Sequence, residues 1–169
     1  PDGHPLKQAI DNAFATDTKM KNPTSALKQY DRALAQNRTK SGDIKDAMVE
    51  MVGRTRKGRA LNHLVTAKIA AGEPHEDLVA SAKEELQFAI HLAEDQGLSY
   101  AAAFYNLATL HAHLGDTEAG LQALDQAVQA DPKLIQSLAQ KDGDMKPLAG
   151  DAFDKLVGVD LTQLRQHAL

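Results

Sequence analysis

The stretch AAAFYNLATLHAHLGDTEAGLQALDQAVQADPKL, residues 101–134, decides the fold. Within it Phe104, Leu107, His111 and Leu114 recur at three or four residues, and Leu121, Leu124, Ala127 and Val128 do the same beyond Gly115-Asp116. That spacing puts each set on one helix face and predicts two helices joined by one tight turn. Gly115 suits the left-handed position that ends the first helix, Asp116 or Thr117 can cap the second, and Asp131-Pro132 opens a third with Pro at its first position. Two antiparallel helices so closely joined bury one face against each other and leave another for a neighbouring hairpin to cover.

Companions for this hairpin lie upstream. NPTSALKQYDRALAQ, residues 22–36, predicts a helix starting at Asn22-Pro23, preceded by one over residues 5–20 with Ile10, Ala13 and Phe14 at packing positions. In residues 61–97, Leu61, Leu64 and Val65 share a helix ended by Gly72, and Ala82, Leu86 and Ala89 share the next. The turn around residues 73–77 carries about five extra residues, which lengthen the loop or add a helical turn at Pro74. Residues 41–60 exceed a hairpin junction. Ile44, Met48, Met51 and Val52 keep helical spacing there, so this stretch extends the next helix toward its N-terminus, with a bend expected near Gly53 or Gly58. Past Pro132, helical runs are expected over residues 133–140, 151–157 and 160–168.

Composition agrees with an all-α chain. There are 28 Ala and 21 Leu against 12 Val plus Ile, and β-branched side chains lose rotamer freedom in a helix where Ala and Leu lose little. The length of 169 residues suits a single domain able to bury a core without staples. The absence of Cys removes thiol nucleophiles, thiolate metal sites and disulfides. A net charge of -4 offers phosphate backbones no general attraction, so no nucleic-acid partner is expected. No apolar run reaches the roughly 18 residues of a membrane span, so a soluble chain without membrane insertion is expected, cytoplasmic by default. The opening PDGHPLKQ is not a secretory signal, and a removed signal or anchor stays open because the sequence starts at Pro1.

Residues 101–134 resemble a tetratricopeptide repeat: Phe104, Leu107, Ala108, Leu124, Ala127 and Pro132 match that family's 34-residue pattern, while His111 and Gly120 depart from it. Ala26, Tyr30 and Ala33 match the second helix of the same pattern, and Asp17 stands where the first helix usually has Tyr. The resemblance implies antiparallel helix hairpins stacked as a short right-handed superhelix, over residues 1–169 as one domain. Irregular repeats would cover about residues 7–40, 58–96 with an insertion, and 101–134, and capping helices residues 135–169. Asp144, Pro147, Leu148 and Phe153 resemble the closing region of such proteins, which covers a stacking face otherwise exposed.

Reactive residues form no recognisable site. His111 and His113, two apart on a helix, point about 200° from each other and cannot share a metal. His91 and Asp95 could meet but make only one pair, and His111 occupies a packing position. No nucleophile elbow, phosphate loop or HExxH is present, so no metal, cofactor or catalytic residue is assigned and the chain is expected not to be an enzyme. The basic run Arg54, Arg56, Lys57 and Arg59 reads as a solvated helix end or bend, or else as a docking patch for an acidic partner or nucleic acid.

In the family, first helices line a concave groove that binds a peptide or protein segment. The corresponding positions give Ala102, Tyr105, Asn106, Thr109 and His113 in residues 101–134, Arg59, Asn62, His63, Thr66 and Ala70 in the middle repeat, and Gln8, Asp11, Asn12, Ala15 and Lys19 in the first. The leading peptide-binding candidates are Tyr105, Asn106, Thr109, His113, Asn62, His63, Thr66 and Asn12. Members that grip chaperone C-termini need a basic and amide set; the matching positions here hold Asp11, Ala15, His63, Ala102 and Asn106, so a co-chaperone is not expected. The resemblance thus implies a scaffold or adaptor that binds a protein partner. The alternatives are an assembly subunit that oligomerises through an exposed apolar face, and a helical enzyme. Partner identity, compartment and oligomeric state stay open.

Overall fold

Capping side chains set most helix starts in the computed structural model, which describes residues 4–158. Helix α1 is Pro5–Thr18 and α2 is Pro23–Gln36, where Asn22 accepts from Ser25 N at 3.1 Å. Helix α3 is Ala47–Ala71, capped by Asp46 accepting from Val49 N at 3.1 Å, and α4 is Glu76–Asp95. Helix α5 is Ala101–His113, α6 is Thr117–Ala130 and α7 is Pro132–Lys141. A 3-10 turn, Gly143–Leu148, leads to the short α8, Asp151–Leu156. The described residues are all-α apart from an isolated antiparallel bridge between Arg38 and Ile44. The run expected over residues 160–168 lies outside the described residues.

Local punctuation works as its chemistry demands. Gly72 and Gly115 end α3 and α5 with φ of 67° and 76°, a region that costs a side chain with a Cβ. Asp116 accepts from Ala119 N at 3.2 Å and Asp131 from Leu134 N at 3.2 Å, each satisfying an orphan donor of the helix it opens. Pro74 adds no helical turn: it stays in the loop, and the α4 start is tied by Glu76 accepting from His75 N at 3.0 Å.

Two compact units divide the chain between residues 98 and 99. In the first, α1 packs on α2, α3 on both, and α4 on α3. Helix α3 continues unbroken for 25 residues through Gly53 and Gly58. Those glycines are points of close approach. A Cβ at Gly53 would sit 2.9 Å from Ile10 Cδ1 and Leu34 Cδ2, and one at Gly58 2.7 Å from Leu86 Cδ2. Helix α3 therefore accepts the roughly 1 kcal/mol propensity cost of each Gly so that its neighbours can pack flush against it. The core here holds Ile10, Ala13, Ala26, Tyr30, Ala33 and Ala60, all buried.

In the second unit α6 packs on α5, α7 and α8 follow on α6, and the 3-10 turn lies against α5 and α6. Gly120, the departure from the repeat pattern, has the same explanation as Gly53: a Cβ there would meet Leu148 Cδ2 at 2.7 Å. Leu148 is 2% exposed, so the closing segment inserts a side chain over α6 where the repeat pattern would have a small residue with a methyl.

Candidate functional site

The face shared by α1 and α3 is built from small residues beneath and polar residues above. Ala13 and Ala60 are fully buried and Gly53 admits Ile10, which brings the helices close enough for short side chains to cross. Arg56 donates to Asp11 Oδ1 at 2.8 Å, and its guanidinium lies 4.4 Å from the centre of the Phe14 ring; Arg59 lies 5.3 Å from the same ring. One turn further, His63 Nδ1 meets Asp17 Oδ1 at 2.8 Å. The contacts rise together, 11 with 56 and 17 with 63, so α1 and α3 run parallel.

Asp17 fills the position where the repeat pattern has Tyr, and His63 is its partner. The Asp17 side chain is fully buried and, among the described residues, its Oδ2 accepts no hydrogen bond and the buried Tyr30 hydroxyl has no partner. Burial raises the Tyr30 phenol well above its ordinary value, and the Asp17 carboxylate adds to the shift.

The groove candidates of this unit separate. Asn12 is exposed and accepts from Gln8 Nε2 at 2.9 Å; His63 is partly exposed; Thr66 is exposed and its hydroxyl donates to the Asn62 carbonyl at 2.9 Å. Asn62 is only 4% exposed, so its side chain belongs to the interior.

In the second unit Tyr105 is buried and its hydroxyl donates to Asp142 Oδ2 at 2.6 Å. His113 Nε2 lies 3.3 Å from Asp144 Oδ1. The segment after α7 therefore gathers Tyr105 and His113 beneath it, and Tyr105 anchors that segment with its ring buried. Thr109 is buried with its hydroxyl donating to the Asn106 carbonyl at 2.8 Å, and Asn106 is half-buried.

The basic run is not a solvated helix end, because it crosses the middle of α3 with every member partly buried. Glu50, fully buried, takes both Nη1 and Nη2 of Arg38, Nε of Arg54 at 2.9 Å and Nδ2 of Asn37 at 3.2 Å. Arg54 passes on to Glu85 at 2.9 Å, Lys57 bonds Glu85 and Asp31 at 2.8 Å each, and Arg54 also covers the Phe88 ring at 4.2 Å. The pairs 31 with 57 and 38 with 50 run in opposite senses, so α2 and α3 are antiparallel. Burial alone would raise the Glu50 carboxyl, but the bonds from Arg38, Arg54 and Asn37 outweigh it and hold the group below its ordinary value. Burial would lower Lys57, and the bonds from Asp31 and Glu85 raise it instead.

These carboxylates were not among the residues singled out from the sequence. Only Glu50 with Arg54, four apart on one helix, carried a readable signal. Among the described residues, no three His, Asp or Glu side chains gather as a metal site, and no helix is long and apolar enough to cross a membrane. Set beside known protein families, curated proteins and solved structures, the chain matches none.

Proposed function

We propose that the chain is a non-catalytic protein-interaction module of tetratricopeptide-like hairpins, and that a partner segment lies along the polar face of α1 and α3. The observation that carries this reading is the parallel alignment of these two first helices, tied by Asp11 with Arg56 and Asp17 with His63. Parallel first helices are what stacked hairpins of one kind require. The ties hold Asn12, His63 and Thr66 on fixed elements at the surface, where the donors and acceptors of Asn and Thr can pair an extended backbone. Rigid placement lowers the ordering cost of binding.

Asn12→Ala combined with Thr66→Ala removes exposed groups alone. Affinity capture from a lysate with the intact chain, followed by mass spectrometry, should return a partner that this double variant recovers about tenfold less, with an unchanged melting temperature. Equal recovery by both proteins would refute binding at this face. Tyr105 is excluded from the test set, because truncating a buried ring perturbs the unit itself.

A further inference from the structure

Away from the α1 and α3 face, an open cleft of about 250 Å3 lies over α2 and α3, lined by Asp31, Leu34, Ala35, Arg38, Arg54 and Lys57. Three of those residues are cations. Their inner sides are spent on Glu50 and Glu85, the carboxylates behind them. Arg38, Arg54 and Lys57 against Glu50 and Glu85 leave one positive charge in excess, and the group that meets it is Asp31, whose side chain is 60% exposed. An exposed carboxylate on a lysine is a weak and readily exchanged pair.

Not every N–H of these three lining cations is spent. Arg54 uses Nε and Nη1, Arg38 uses Nη1 and Nη2, and Lys57 makes two bonds through Nζ. Among the described residues Arg54 Nη2, Arg38 Nε and the third Lys57 hydrogen carry no hydrogen bond, and an arginine has five N–H groups and a lysine three. Two guanidinium groups and one ammonium, fixed by carboxylates behind them, are pre-organised for an oxyanion with several acceptor oxygens. Leu34 and Ala35 supply an apolar wall beside them.

We propose that this cleft binds a phosphate group, and that Asp31 occupies the cation site until phosphate displaces it. The site is independent of the partner face proposed above. Inorganic phosphate titrated into the intact chain at constant ionic strength, followed by NMR on the Arg38, Arg54 and Lys57 side chains, should give a saturable response that matched chloride does not. Asp31→Asn, a change at an exposed residue, should tighten binding about fivefold by removing the competing charge. Lys57→Gln should weaken it about tenfold, with circular dichroism checking that the helices persist. O-phosphoserine as a second probe separates the sources: binding at least as tight as phosphate means that the cleft takes phosphomonoesters, and binding of inorganic phosphate alone means that it takes the free ion. A response equal to that of chloride, or an Asp31→Asn affinity no tighter than wild type, would overturn the proposal.

Discussion

The two units are both built from helix hairpins, but they hold their helices by different means. Of the eight buried polar or charged residues described, Thr16, Asp17, Asn37, Glu50, Thr55, Asn62 and Glu85 lie in the first unit and only Thr109 in the second. The first unit threads α3 between its neighbours on ion pairs and hydrogen bonds. The buried side chains of α5 and α6 are mostly small or apolar, such as Ala103, Ala108, Ala112, Ala123, Leu124 and Ala127. Polar pairing fixes register sharply because a displaced charge is left unpaired in a poor solvent, whereas apolar packing tolerates volume-conserving change. The first unit is therefore expected to be sensitive to single charges and to pH, and the second to side-chain volume.

The largest effect should come from Glu50→Ala, which takes the carboxylate from Arg38 and leaves Arg54 with Glu85 alone. Loss of one partner from a buried ion pair costs about 3–5 kcal/mol, readable as a shift in urea denaturation. The same residue sets a pH test. Because the Glu50 carboxyl in the folded chain lies below its ordinary 4.5, its contribution is complete above that value and disappears as pH falls through the lower, folded value. The stability gap between wild type and Glu50→Gln should accordingly narrow below pH 4.5. A gap of constant size from neutral pH to about pH 3 would show that Glu50 is not held by its cations.

Gly58→Ala comes next. Its Cβ would meet Leu86 Cδ2 at 2.7 Å and Cγ at 2.8 Å, so the branch point of the leucine as well as its tip must move. Overpacking of this kind costs about 1–3 kcal/mol, set against about 1 kcal/mol of helix propensity gained, and thermal melts should show net destabilisation. Stabilisation would mean that α3 and α4 stand further apart.

How much was legible in the sequence follows the same division. In residues 101–134 the helix ends are local chemistry: Gly115 at positive φ, Asp116 on Ala119, and Asp131 before Pro132 could each be read within a few residues. In α3 the decisive contacts are remote. Arg54 and Lys57 meet Glu85 across 31 and 28 residues, so a local reading saw only an unbalanced basic run. The demand for glycine at positions 53 and 58 is remote as well, since the neighbours that need their space, Ile10, Leu34 and Leu86, come from other helices. Repeat spacing places Tyr105 among the groove candidates and is silent on its hydroxyl partner Asp142, which lies 37 residues on in the closing segment.

The smallest of the stability effects belongs to that last contact. Tyr105→Phe keeps the buried ring and removes only the hydroxyl bonded to Asp142, so it should cost about 1 kcal/mol and loosen the 3-10 turn, seen as faster amide exchange near residue 145. An unchanged exchange rate there would mean that apolar packing through Met145 and Leu148 is enough to hold the closing segment.

The parallel pairing of α1 with α3 underlies the partner face we propose, and a double-mutant cycle on Asp17 and His63 tests that pairing most directly. Asp17→Asn, His63→Gln and the double variant, compared by urea denaturation near pH 6, should give a coupling energy above about 1 kcal/mol, because residues in contact couple and distant ones add. Additivity within about 0.5 kcal/mol would place the two side chains apart and contradict the pairing of the helices that carry them.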